Sequence, residues 1–214
     1  TSENDIAYSW SIDTEIGTQS LTGVGNIPLF EADNDTNDPI VATVTVTPSN
    51  DETDPSLTCE GSSIEFTITV NPTAQVDPVD SLDLCNGDTA VVDFTTSNGG
   101  VDSVTTYSWE ITDGDSVFVG GALTGAGNIN LPVINETNAD LVATVTVTPT
   151  YTNDGVDCTG PSEEFTITVS PTAQVEQVED IVVCNGDEVA EIVFATTSEN
   201  DIAYSWSIDT EIGT

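Results

Sequence analysis

The sequence has 214 residues and no Lys, Arg, His or Met, against 38 Asp and Glu, so its formal charge is −38 at pH 7. Nothing in it can neutralise phosphates, which excludes nucleic-acid binding, and no basic patch is available to dock on anionic lipid. Chemistry that needs a His base, a Lys Schiff base or an Arg clamp is excluded too, as are Lys–Asn isopeptide cross-links. No apolar run approaches the roughly 18 residues of a membrane span, so no membrane insertion is expected. Thr1 to Tyr8 has neither the basic start nor the apolar stretch of a signal peptide. Hydrophobic residues still make up 37%, in patterned runs, which predicts a folded chain rather than a disordered one.

Internal repetition sets the organisation. Thr1–Thr18 returns letter for letter as Thr197–Thr214, a period of 196 residues. A shorter, imperfect period lies inside it. Val41–Pro48 returns as Val142–Pro149, and Tyr107-Ser-Trp109 as Tyr204–Trp206. Phe66–Val70, Pro72–Val76, Cys59 and Cys85 return as Phe165–Val169, Pro171–Val175, Cys158 and Cys184, all at an offset of 99. The spacing predicts tandem repeats of about 99 residues: the C-terminal part of one in 1–76, a complete one in 77–175, and the N-terminal part of the next in 176–214. Both ends fall inside repeats, so the sequence reads as a slice of a longer array.

Alternating apolar and polar residues predict half-buried strands through the complete repeat. In chain order they fall near Ser81–Leu84, Ala90–Thr95, Thr105–Ile111, Ser116–Val119, Asn128–Ile134, Leu141–Thr148 and Glu164–Val169. Turn signals separate them: Asn86-Gly87, Asn98-Gly-Gly100, Asp113-Gly114, Gly120-Gly121, Asn153-Asp-Gly155 and Gly160-Pro161. No stretch holds a 3.6-residue period. About seven short strands in a hundred residues predicts an all-β, immunoglobulin-like β-sandwich, with the repeats strung end to end. Trp109 is the expected core residue of the third strand, with Trp10 and Trp206 as its copies.

The order of motifs is more specific. Tyr-Ser-Trp is followed by Leu123-Thr-Gly-Ala-Gly-Asn-Ile129, Val-Ala-Thr-Val-Thr-Val-Thr-Pro, Cys158-Thr-Gly, Phe-Thr-Ile-Thr-Val-Ser-Pro-Thr and Val183-Cys-Asn-Gly-Asp187. This series resembles the PKD-like, immunoglobulin-like repeats of giant cell-surface adhesins in the Bacteroidota, the gliding-motility adhesins of SprB type among them. The resemblance implies type IX secretion, display at the cell surface, and a part in attachment or gliding motility. The lack of any basic residue departs from most of these repeats.

Two cysteines per repeat at fixed spacing suggest disulfides in an oxidising compartment. No short C-x-x-C spacing and no His support a zinc site. Cys85 with Cys158 is the pairing expected within the complete repeat, leaving Cys59 and Cys184 to partners outside the sequence. If the two lie at opposite ends of the sandwich, bonds between neighbouring repeats replace it, Cys59 with Cys85 and Cys158 with Cys184.

Fifteen acidic residues lie between Asp77 and Glu164. Over a sandwich of ~35–40 Å that is about one negative charge per 2.5 Å. Such a rod gathers cations, and self-repulsion stiffens it. Ca²⁺ takes six to eight oxygens. Asp33, Asp35 and Asp38 in one loop, and Asp77, Asp80 and Asp83 at a repeat junction, are the candidate ligands, with Asn50-Asp51-Glu52 and Asp54 as a further cluster. Asn34 and Asn135 fit the N-glycosylation pattern. Ser81, Thr89, Ser103 and Ser116 sit in Asp-Ser/Thr-apolar sites like those used for O-glycans in Bacteroidota.

The acids fall mostly in turns and on outward strand positions, so no paired-carboxylate catalytic site is expected and the chain reads as a non-enzyme. The expected role is a stalk segment of a very long extracellular filament or adhesin. Its expected partners are neighbouring repeats of the same chain, other copies in a filament, and surface polysaccharide or substratum. The alternatives are a carbohydrate-binding module, for which Tyr151 is the candidate exposed stacking residue, and a fibre of laterally associated chains.

Overall fold

In the computed structural model, which describes residues 6–50, 59–114 and 116–209, every regular element is a β-strand. They are β1 (Ile6–Ile12), β2 (Thr22–Val24), β3 (Ile40–Asn50), β4 (Ile64–Val70), β5 (Leu82–Cys85) and β6 (Thr89–Val92). Then come β7 (Val104–Gly114), β8 (Thr124–Ala126), β9 (Ile129–Pro132), β10 (Leu141–Asn153), β11 (Val156–Thr159) and β12 (Glu163–Ser170). The all-β, immunoglobulin-like class expected from the alternation is what the chain adopts.

The chain divides into two compact units. One is Thr1–Asp77 with Thr95–Tyr107 and Thr148–Ser162; the other is Pro78–Phe94 with Ser108–Val147 and Glu163–Thr214. These bounds differ from the repeat bounds, because two segments of the middle repeat group with residues of the first.

In the first unit the strands run in the order β2-β1-β3-β4. Trp10 on β1 pairs with Val46 of β3 and Gly23 of β2. Trp10, Ile12, Ile16, Ala42 and Val44 form a buried cluster, with Ile27, Phe30, Ile68 and Val70 packed against it.

The middle repeat is built on the sheet β5-β12-β10-β7-β8, with β11 paired to β10, and on the two-stranded sheet β6-β9. The alternation of β10 is the clearest sign of its place. Ala143, Val145, Val147, Tyr151 and Asn153 are buried while the residues between them are not, apart from the intervening Pro149. Each such buried Val contributes about 1.5–3 kcal/mol. Trp109 on β7 is buried and meets Phe118 edge-on at 5.6 Å between ring centroids, and Phe94 meets Phe165 at 6.2 Å. Strands of opposite direction join through tight turns. Asn153-Asp-Gly155 makes the two-residue loop between β10 and β11, with φ of +50° at Asp154 and +75° at Gly155. Positive φ at both central positions is the turn that suits the strand twist, and it explains the Asp-Gly pair.

Three expectations need correction. Ser116–Val119 forms no strand, only an isolated bridge between Phe118 and Val133. The strand expected to stop at Thr148 runs on to Asn153. Pro149 is tolerated because it falls where β10 changes partner, between the Val147–Glu163 and Thr150–Thr159 pairs. Trp206 is not core: it is 70% exposed, whereas Trp10 and Trp109 are each 5% exposed. Trp10 and Trp109 each lie in a paired strand, against Gly23 and Gly125, whereas Trp206 lies in no strand.

Candidate functional site

The Asn-x-Thr triplets at Asn34 and Asn135 build the same loop twice. The Nδ2 of Asn135 donates to the carbonyls of Ala139 (2.8 Å) and Val169 (2.6 Å). Its Oδ1 accepts from the N–H of Thr137, whose hydroxyl has Asn135 Oδ1 and the Ala139 carbonyl as alternative acceptors at 2.7 and 2.8 Å. Asn34 repeats every bond with Asp38, Val70 and Thr36. Asn135 is 1% exposed. Its amide nitrogen has both hydrogens engaged. The triplet fixes the loop to the end of the last strand. The signal for this was in the sequence: the triplets recur 101 residues apart, as loop architecture does.

This loop carries the contact with the following repeat. Asn37 accepts a hydrogen bond from the Gly99 N–H at 2.9 Å, and Asn138 accepts one from the Glu199 N–H at 2.8 Å. Gly99 and Glu199 hold equivalent places after Phe94 and Phe194. A Cβ at Gly99 would collide with the Asp38 carboxylate. Tyr151 is not an exposed stacking residue. It is 1% exposed, and its hydroxyl donates to the Gly99 carbonyl at 2.9 Å. Next to it, Asn153 Nδ2 donates to Asn71 Oδ1 at 2.8 Å. Sequence alone missed Asn71, Gly99 and Asn153 as contact residues.

The cysteines do not meet within the complete repeat. Cys85 ends β5 opposite Ser170. Cys158 lies opposite Tyr151, which stands ten residues along β10 from Leu141, the partner of Val169. Ten residues of strand span about 33 Å, whereas the Cα atoms of a disulfide lie roughly 4.4–6.8 Å apart. Cys85, Cys158 and Cys184 carry free thiols. Cys59 is exposed, at the Asn50 end of β3, where its carbonyl accepts the Asn50 N–H.

The acidic candidates are not gathered either. Asp33, Asp35, Asp38, Asp80 and Asp83 are exposed, and Asp77 accepts the Thr95 hydroxyl at 2.7 Å. Among the described residues no three carboxylate or thiol groups come together as a metal ion requires. Asp51, Glu52 and Asp54 lie outside the described residues. Two other acids are held below the ordinary carboxylate range. A backbone hydrogen bond from Thr43 does this at Asp13, and the Asn200 amide, which donates at 2.8 Å, does it at Asp140. Burial, and then the Asp77 charge, push the Tyr107 phenol up.

Of the hydroxyl candidates, three are tied into local bonds. Ser81 Oγ accepts from the Thr166 N–H, Ser103 Oγ donates to the carbonyl of Gly99 or of Gly100, and Ser116 Oγ donates to the Ala122 carbonyl. Thr89 is exposed on β6.

Comparison with known families picks out a part of the middle repeat. Residues 83–173 match the PKD-like domain family. The match opens inside β5 and closes just after β12. No curated protein matches the chain. A PKD-like domain is typically a non-catalytic module, usually of extracellular proteins. No helix among the described residues is long and apolar enough to cross a membrane.

Proposed function

We propose that this chain is a structural segment of a very long extracellular filament or cell-surface adhesin, in which PKD-like repeats set reach. The observation that carries the reading is the recurrence of one contact. The Asn37–Gly99 and Asn138–Glu199 hydrogen bonds tie equivalent loops at two successive repeat boundaries. A chain that reuses the same joint is suited to serial extension. The uniform negative charge supports the same reading, since every repeat repels its neighbours' surfaces and the array resists collapse. Attachment or gliding motility, and type IX secretion, are the wider role that the motif order suggests for the parent protein. The partners are then neighbouring repeats and, at the filament's far end, surface polysaccharide or substratum. The carbohydrate-binding alternative has lost its stacking residue with the burial of Tyr151.

The test is small-angle X-ray scattering on chains carrying one, two and three copies of the 196-residue period. The maximum dimension should grow by a constant increment per period. A maximum dimension that rises only as the cube root of mass would overturn the reading.

A further inference from the structure

The middle repeat shows how a repeat holds its own first cysteine. Cys85 pairs with Ser170 at the edge of β12, and the Asn86 N–H donates to the Ser170 carbonyl at 2.9 Å. Val133 grips the turn from the other side: its carbonyl accepts the Gly87 N–H, and its N–H donates to the Asp88 carbonyl. The counterparts of Ser170 and Val133 in the first repeat are Asn71 and Ala32, by the offsets of 99 and 101 that relate the two copies. There β4 is the edge strand of its sheet. Asn71 and Ala32 line a cavity of about 300 Å³, and Cys158 of the next repeat lines the same cavity.

The facing of the side chains agrees. On β5 the half-buried residues are Leu82 and Leu84, which leaves Cys85 on the outward face with Ser170. The outward counterpart of Ser170 is Asn71, and Asn71 accepts the hydrogen bond from Asn153. Cys158 shares the Asn153 face of the β10–β11 hairpin, because it is opposite Tyr151 while Asn153 is opposite Val156. A cysteine hairpin seated on β4 as Leu82–Asp88 is seated on β12 therefore brings its sulfur to Cys158.

We propose that Cys158 forms a disulfide with the first cysteine of the repeat that precedes it, so that each junction is covalently clamped in one direction. By the same rule Cys85 is bonded to the Cys59-type cysteine of the repeat that follows. No two cysteines of the present sequence are partners under this rule. The oxidant is a low-molecular-weight disulfide. One cysteine thiolate attacks it and releases one small thiol. The second cysteine then displaces the other, forming the Sγ–Sγ bond while the two small thiols carry off both protons and both electrons.

The test uses the chain extended by its own period, Thr1–Thr196 followed by Thr1–Thr214, beside the 214-residue chain. Both are treated with oxidised glutathione, and peptide mass mapping tells Cys–Cys bonds from glutathione mixed disulfides. The extended chain should form two Cys–Cys bonds, one Cys85–Cys59 and one Cys184–Cys158, and the 214-residue chain should form none. A Cys–Cys bond within the 214-residue monomer, or none in the extended chain, overturns the proposal. A second measurement does not depend on the extended chain folding. A peptide spanning Asp77–Val92, offered to the 214-residue chain as its glutathione mixed disulfide, should couple selectively to Cys158. Equal coupling to all four cysteines overturns the proposal as well.

Discussion

Gly125 lies against the indole of Trp109 so closely that a Cβ would overlap the ring, and Gly23 lies the same way against Trp10. The two glycines are the cross-strand partners of the two tryptophans. The Leu-Thr-Gly-x-Gly-Asn-Ile motif is therefore a packing device: its first glycine makes room for a ring that fills the sandwich. Gly125→Ala should destabilise the PKD-like region by about 1–3 kcal/mol, the usual cost of overfilling a packed core, measured by urea unfolding followed through tryptophan fluorescence. Asn135→Ala removes the donors to the Ala139 and Val169 carbonyls and the acceptor for Thr137. Its expected cost is about 1–3 kcal/mol, because buried backbone groups lose their partners, read from the same unfolding curves. The amide that fits the glycosylation pattern holds the loop together, a role that only its burial and partners reveal.

At the scale of elements, β10 is the most informative strand. Val145 and Val142 lie on opposite faces, one fully buried and one 50% exposed. Val145→Ala should cost about 2 kcal/mol through the cavity it leaves, and Val142→Ala less than about 0.5 kcal/mol; equal effects in thermal melts would contradict the register. Most strands of the middle repeat were legible, because a period of two is written directly into Ala-Thr-Val-Thr-Val and Phe-Thr-Ile-Thr-Val. The short β8 and β11 were not, since three or four residues carry too little alternation to detect. Tyr151 was misplaced for a related reason. Pro149 reads as a stop, yet the strand continues through the point where its neighbour changes, and Tyr151 is carried inward with it. The separation of Cys85 from Cys158 was illegible because it depends on β5 reaching the Ser170 end of β12 and β11 the Asn153 end of β10. That is a property of strand order and not of spacing along the chain.

For the molecule as a whole, charge sets the response to solvent. With no side-chain cation anywhere, the 38 acids repel one another without compensation. Raising salt from about 10 to about 200 mM at pH 7 should raise the melting temperature, since the screening length falls several-fold; no change in calorimetry would show that the repulsion is equal in the unfolded chain. Acid acts in the opposite sense at two points. Asp13 and Asp140 titrate lower in the folded chain than their ordinary value. Their contribution is complete above about pH 4 and is lost as pH falls through their folded values. Between pH 5 and pH 3 the urea midpoint of Asp140→Asn should fall less than that of the unaltered chain. The pairing of β5 with β12 has one further consequence. The strand that opens the PKD-like sandwich and the strand that closes it are parallel neighbours, with Leu82 beside Ile167 and Cys85 beside Ser170. Force applied to the two chain ends drags these strands past each other along their length. The bonds between them are then loaded together in shear, rather than peeled one after another, and the sandwich yields only when the whole ladder gives way.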